Sequence, residues 1–319
     1  MPAGRFLISL DFELFWGMRD KASIASYGPN ILGVRESIPA MLALFRRYQV
    51  RATWAAVGLL LFGSRRELLR YLPERRPNYV QPKLSPYHDL EQIGEDERSD
   101  PYHYGLSLAR QILDCEGMEL GSHTFSHYYC LEHGQTAGDF RADLEASVAA
   151  SARLGVRPVS LVFPRNQCRL DYLQVCSSLG FTSYRGNPSA WMYREASERG
   201  QQGKLRRAAQ LVDTYFDLAG DMAFDLPEPS GIRDLPASRF LSPYRPARRR
   251  LEPLRLQRIR DAMTRAAKSG RCFHLWWHPH NFGSHLSENL AMLGEILRHY
   301  VNLRESYDME SLTMKEAAV

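Results

Sequence analysis

Residues 5–13 read RFLISLDFE. The apolar run from Phe6 to Leu10 is broken at Asp11, and residues 6–12 read as a buried strand. On a strand, side chains two apart point to the same side, so Asp11 and Glu13 stand together where this one ends. Outward from it, Ile38, Met41, Leu42 and Phe45 recur at helical spacing, and residues 51–58 (RATWAAVG) read as a second strand. Ser64 with Glu67 starts a short capped helix. A third strand follows at 118–122, then a long helix over 136–154 closed by Gly155. Further strands are predicted at 158–163, 181–184 and 271–277, with helices over about 170–180, 255–268 and 287–300. Strand–helix alternation of this kind predicts a parallel sheet, open or closed into a barrel, whose catalytic groups gather at the C-terminal strand ends.

The 319 residues are 44% hydrophobic and 24% charged, which suits one large α/β barrel and needs no second domain. Residues 73–105 and 219–247 interrupt the rhythm and read as long loop insertions. Tyr79, Tyr87, Tyr102 and Tyr104 in the first suggest a surface for sugar rings, with a plain surface insertion as the other reading. The net charge of +5 is mild, short of a dedicated nucleic-acid binder, so no nucleic-acid partner is expected. It is concentrated in residues 245–260 (RPARRRLEPLRLQRIR), seven arginines against one glutamate. That run could meet an anionic membrane surface or a pyrophosphate carrier, though a solvated helix face is the simpler reading. No stretch of eighteen apolar residues and no signal-peptide core is seen. The five cysteines lack CxxC spacing, so free thiols in the cytoplasm are expected.

Two more clusters fall at strand ends. In GSHTFSH (121–127), His123 and His127 are four apart, and on one helical turn they would share a face suited to a divalent metal. With one carboxylate they would hold Zn²⁺ and leave a position for water. In FHLWWHPHNFG (273–283), His274 lies inside the strand and reads as a core residue, while His278 or His280 could serve as a general acid. Taken alone, each cluster also has a bland reading: a solvated strand end, a surface HxxxH pair, a proline turn with two histidines.

Together and in this order, SLDFE, SHTFSH and LWWHPH resemble the polysaccharide deacetylase family, the NodB homology or carbohydrate esterase 4 group, over roughly residues 5–315. RATWAAVG is similar to that family's second strand, and SLTM near Leu312 to its closing strand. The resemblance implies an irregular (β/α)7-type barrel and a metal-dependent hydrolase removing an N-acetyl or other N-acyl group from a sugar. It implies Asp11 as catalytic base, Glu13, His123 and His127 as metal ligands (zinc before other divalent ions), and His278 as general acid. The family's third motif is replaced by FPRNQ (163–167), where Arg165 is the candidate to orient Asp11 or contact substrate, and a backbone N–H near 163–166 to hold an oxyanion. The substrate expected is an N-acylated sugar or oligosaccharide, nucleotide- or lipid-linked if the protein is cytoplasmic and serves surface-polysaccharide assembly. A non-catalytic sugar-binding relative and a two-histidine, one-carboxylate iron enzyme are the competing readings.

Overall fold

The computed structural model describes residues 2–193, 204–228 and 231–319. In chain order the elements are β1 (Arg5–Phe12), α1 (Ile24–Leu32), α2 (Val34–Tyr48), β2 (Ala52–Ala56), α3 (Arg65–Leu69), α4 (Leu106–Leu113), β3 (Met118–Ser122), α5 (Ala137–Ala152), β4 (Ser160–Val162), α6 (Leu170–Ser178), β5 (Ser183–Arg185), α7 (Lys204–Asp213), β6 (Arg233–Asp234), β7 (Arg239–Phe240), α8 (Glu252–Ser269), β8 (Cys272–Trp277), α9 (Leu286–Tyr307), β9 (Glu310–Leu312) and α10 (Met314–Ala317).

All strands belong to one parallel sheet in the order β6-β5-β4-β3-β2-β1-β8-β7, with β9 on the first half of β1. The two ends of that row, β6 and β7, are consecutive in the chain, and the link between them closes the curl. Leu235 and Ala237 donate N–H groups to the carbonyls of Tyr184 and Gly186, and Ser238 donates to His274 on the opposite edge. The result is the irregular (β/α)7-type barrel expected from the sequence. Residues 219–247, read as loop, supply β6 and β7 at its seam; two-residue strands are too short to carry a periodic signal. The helix α7 also went unread.

Period-2 alternation sorts each strand between two layers. Phe6, Ile8, Leu10 and Phe12 of β1, Trp54 of β2 and Phe273, Leu275 and Trp277 of β8 pack outward against Ile38, Met41 and Phe45 of α2 and Leu293, Ile296 and Leu297 of α9. The inward set begins with an apolar floor of Leu7, Ala55, Val162, Leu235, Cys272 and Met314. Both faces are covered, which is why β1 reads as an unbroken apolar run.

The C-terminal turn plugs the barrel floor. Thr53 donates its hydroxyl to Glu119 at 2.7 Å and accepts the Met314 N–H at 2.8 Å, while the Lys315 N–H donates to the same Glu119 oxygen at 3.0 Å. Burial raises the Glu119 carboxyl above its usual range, and the donors on it pull the other way. Thr53→Val should therefore strand the buried Met314 N–H and take one of two donors from the Glu119 oxygen, lowering unfolding stability by about 2 kcal/mol in a urea titration with little change of slope.

The arginine run is not one cationic face. Arg255 and Arg258 are buried; the first pairs with Glu252, the second with Asp213 and Asp217, and Arg260 pairs with Glu295. Arg245, Arg249 and Arg250 stay exposed, with Arg248 half-buried. All five cysteines are free thiols. Among the described residues no helix is long and apolar enough to cross a membrane.

Candidate active site

Alternation along β1 places Ser9, Asp11 and, just past its end, Glu13 on one inward-facing line. The neighbouring β8 pairs in register Leu10↔Trp277, so His278 emerges next to Asp11. His123 continues β3 by one residue, donating its N–H to the Ala56 carbonyl at 2.8 Å. Three strand ends thus bring Asp11, Glu13, His123, His127 and His278 to one place.

Glu13, His123 and His127 are buried, and one ligand atom from each lies within 4.8 Å of the others. Glu13 Oε2 is 2.9 Å from His127 Nε2 and 3.3 Å from His123 Nε2. His123 Nδ1 lies 2.8 Å from the Val162 carbonyl, which only accepts, so Nδ1 is the protonated nitrogen when the ring carries one proton. Its Nε2 then turns a lone pair toward a carboxylate, and both this nitrogen and Glu13 Oε1 are buried without a hydrogen-bond partner. Facing acceptors of this kind are satisfied by a cation between them, and a carboxylate with two imidazoles suits a divalent metal. Burial would raise Glu13, but the neighbouring histidines, His278 and His127 foremost, hold its carboxyl well below the usual carboxylate range. Burial pushes His127 down to about 4, against the pull of Glu13.

The two histidines do not share a helical turn, contrary to the sequence reading. They sit on a loop in which Thr124 and His127 are left-handed, with φ of 63° and 55°. Asp143 of α5 gathers the loop's donors: the Phe125 N–H at 2.7 Å, the Ser126 N–H at 3.1 Å and the Ser126 hydroxyl. Those N–H groups are thereby satisfied without a helix, and Thr124 Oγ1 takes the Tyr128 N–H at 2.7 Å. Burial pushes the Asp143 carboxyl up to about 6 even against these donors. Leu14, Arg165 and Asn166, on loops at neighbouring strand ends, are left-handed as well, a concentration of strained backbone typical of functional sites.

Asp11 is gripped by Arg185, which donates Nη1 to Oδ1 at 2.7 Å and Nη2 to Oδ2 at 2.8 Å. Burial would raise the Asp11 carboxyl; the charge and hydrogen bonds of Arg185, with the nearby histidines, leave it below its usual value. His278 Nε2 lies 3.8 Å from Asp11 Oδ2 and 3.7 Å from Glu13 Oε1. His280 stacks on His278 at 4.9 Å with its Nε2 4.0 Å from Glu13, and burial pushes its ring down to about 3.

The arginine on Asp11 is therefore not Arg165. That residue pairs with Asp20 and, at 2.6 Å, with Glu132, and its guanidinium lies 3.7 Å over the Tyr129 ring. Arg185 was missed because the fifth strand was read as ending at Tyr184; one residue further, the strand-end rule applied to the others would have found it. The tyrosines of 73–105 also divide differently. Tyr79 and Tyr104 are buried, one accepting the Tyr129 N–H and the other donating to the Gly94 carbonyl, so neither offers a face to a sugar. Tyr102 does line a cavity of about 510 Å³ with Trp16, Arg19, Asp89 and Gln92. That cavity adjoins the Glu13, His123 and His127 group through Arg19, whose Nη1 is 3.4 Å from His127 Nδ1.

The family described as polysaccharide deacetylase matches residues 27–184. The match includes His123, His127 and Arg165, whereas Asp11, Glu13, Arg185 and His278 lie outside it. A crystal structure from Mycobacterium smegmatis described as a polysaccharide deacetylase superposes with a TM-score of 0.59 at 15% identity, over 100% of this chain and 90% of that one. One from Pseudomonas aeruginosa PAO1, described likewise, gives 0.55 at 12%, over 98% and 89%. The PuuE allantoinase gives 0.54 at 11%, over 98% and 88%. At such identities the likeness is one of fold. No curated protein matches the chain in sequence.

Proposed function

Because the chain belongs to the polysaccharide deacetylase family, whose members hydrolyse amide bonds of acylated sugars, we propose that it removes an N-acetyl or other N-acyl group from a sugar with the help of a divalent metal, zinc before others. The observation that carries this is the pair of acceptors, His123 Nε2 and Glu13, turned toward each other in a buried pocket beside a separately held carboxylate. Glu13, His123 and His127 would hold the ion. When bound, a divalent ion lowers the pKa of water and polarises the acyl carbonyl.

The protein's own groups divide the remaining work. Asp11, with both oxygens engaged by Arg185, stays ionised and accepts the proton of the attacking water. In the loop after β4, Pro164 has no N–H and the Asn166 and Gln167 N–H groups go to the Phe163 and Pro164 carbonyls, so of residues 164–167 the Arg165 N–H is the one left to steady an oxyanion. His278, close to both acids, donates a proton to the departing amine, which is needed because an amide anion leaves poorly. His278→Ala should lower kcat by about a hundredfold or more with bound metal unchanged, measured by acyl release beside metal analysis.

The competing readings fit less well. A sugar-binding module has no use for a buried, arginine-held base beside a metal group. An iron oxygenase needs a co-substrate, and 2-oxoglutarate turnover would revive that option. The substrate is an N-acylated sugar or oligosaccharide, nucleotide- or lipid-linked if the enzyme works in the cytoplasm on surface-polysaccharide precursors. Arg245, Arg248, Arg249 and Arg250 remain for contact with an anionic membrane, testable by co-sedimentation with and without anionic lipid. The reaction is tested by offering N-acetylated and N-formylated sugars and assaying the released acid together with the new amine. Release of neither from any of them would overturn the proposal.

A further inference from the structure

Behind Asp11 lies a buried polar chain that the reaction above does not use. We infer that Ser9 and His274 are positioning residues that lock the Arg185 guanidinium onto Asp11, an inference that rests on Asp11 being the base. His274, on β8 and fully buried, has Nδ1 3.0 Å from the Leu235 carbonyl and Nε2 2.8 Å from Ser9 Oγ. A carbonyl only accepts, so Nδ1 carries the proton and Nε2 of the neutral ring accepts. The Ser9 hydroxyl must then donate to His274, which leaves its oxygen lone pairs for Arg185 Nη1 at 2.9 Å. Arg185 donates forward to Asp11, and behind it every link points one way, from Arg185 through Ser9 and His274 to the strand link that closes the barrel.

The opposite tautomer fails at both ends. It would set a nitrogen lone pair against the Leu235 carbonyl and turn the serine proton toward the guanidinium. With the chain intact, Arg185 is held through both terminal nitrogens, by Asp11 in front, Ser9 behind and Asn166 Oδ1 at 2.9 Å from Nη2, with the Trp276 ring 4.1 Å beneath. Both Asp11 oxygens are thereby committed to the guanidinium. That commitment keeps Asp11 out of the metal group and leaves Glu13 as the carboxylate ligand. Ser9 thus acts on the base through Arg185, without touching substrate or metal.

Ser9→Ala should lower kcat about tenfold, the worth of one hydrogen bond to a charged group, with KM and bound metal unchanged. Ser9→Thr, which keeps the hydroxyl, should restore kcat to within about twofold. In an Arg185→Lys background Ser9→Ala should cost nothing further, since the serine acts only through that guanidinium. A wild-type kcat in Ser9→Ala, an equal loss in Ser9→Thr, or an undiminished loss in the lysine background would each overturn the inference. Imidazole ¹⁵N shifts of the wild-type protein read the His274 tautomer independently of turnover. A proton on Nδ1 is expected, and a proton on Nε2 alone refutes the chain even if no acylated sugar is hydrolysed. Absence of hydrolysis with the expected tautomer would instead count against the deacetylase reading.

Discussion

Asp11→Asn is expected to lower kcat by about a thousandfold while the protein keeps its metal, the range general-base removal commonly costs. The amide is the same size as the carboxylate, so the barrel and the Glu13, His123 and His127 group are left in place. What changes is charge: an amide cannot take a proton from water, and it turns an N–H₂ toward a guanidinium that now lacks its counter-ion. The Arg185 pair is buried, so leaving that cation unpaired should also cost about 3 kcal/mol of folding stability. The catalytic effect is separated from the structural one by metal content and by the far-ultraviolet circular dichroism of the folded protein. A variant with full metal and near wild-type kcat would remove Asp11 from the role of base.

His123→Ala should abolish both metal binding and activity. In the proposed site the ring offers one of three ligand atoms, and its Nδ1–H···O=C bond to Val162 sets the lone pair that faces Glu13. Losing one ligand of three from such a site leaves too few to retain the ion against water. The readout that isolates the metal from the fold is thermal stability with and without added zinc. An ion at a hundred times its dissociation constant stabilises the wild type by about 2.7 kcal/mol, and the variant should gain almost nothing. Equal zinc stabilisation of both proteins would place the ion elsewhere.

What could be read from the sequence follows a physical division. Asp11 and Glu13 are legible because a strand has a period of two, and one buried on both faces announces itself by its composition. His278 is legible because it ends a long apolar strand. Arg185 is not, because β5 has three residues, too few for a pattern, and its partner lies 174 residues away in sequence. Arg165 attracted attention by its place in FPRNQ, yet Asp20 and Glu132, which hold it, come from loops that only the fold brings together. The spacing of His123 and His127 fits a helix as well as a loop. The choice is made by Asp143 on another element, and Thr124, β-branched, is not a residue type that advertises left-handed backbone. Residues 245–260 show the same limit: counting arginines reveals charge, but not that Arg255 turns inward to Glu252 and Arg258 to the buried Asp213.

The central claim is that a divalent metal held by Glu13, His123 and His127 drives hydrolysis of an N-acylated sugar. It is tested most directly by acyl release from one such substrate before chelation, after chelation and after restoring zinc. The account predicts that activity disappears with the metal and returns with it. Release that persists at full rate in demonstrably metal-free protein would contradict it.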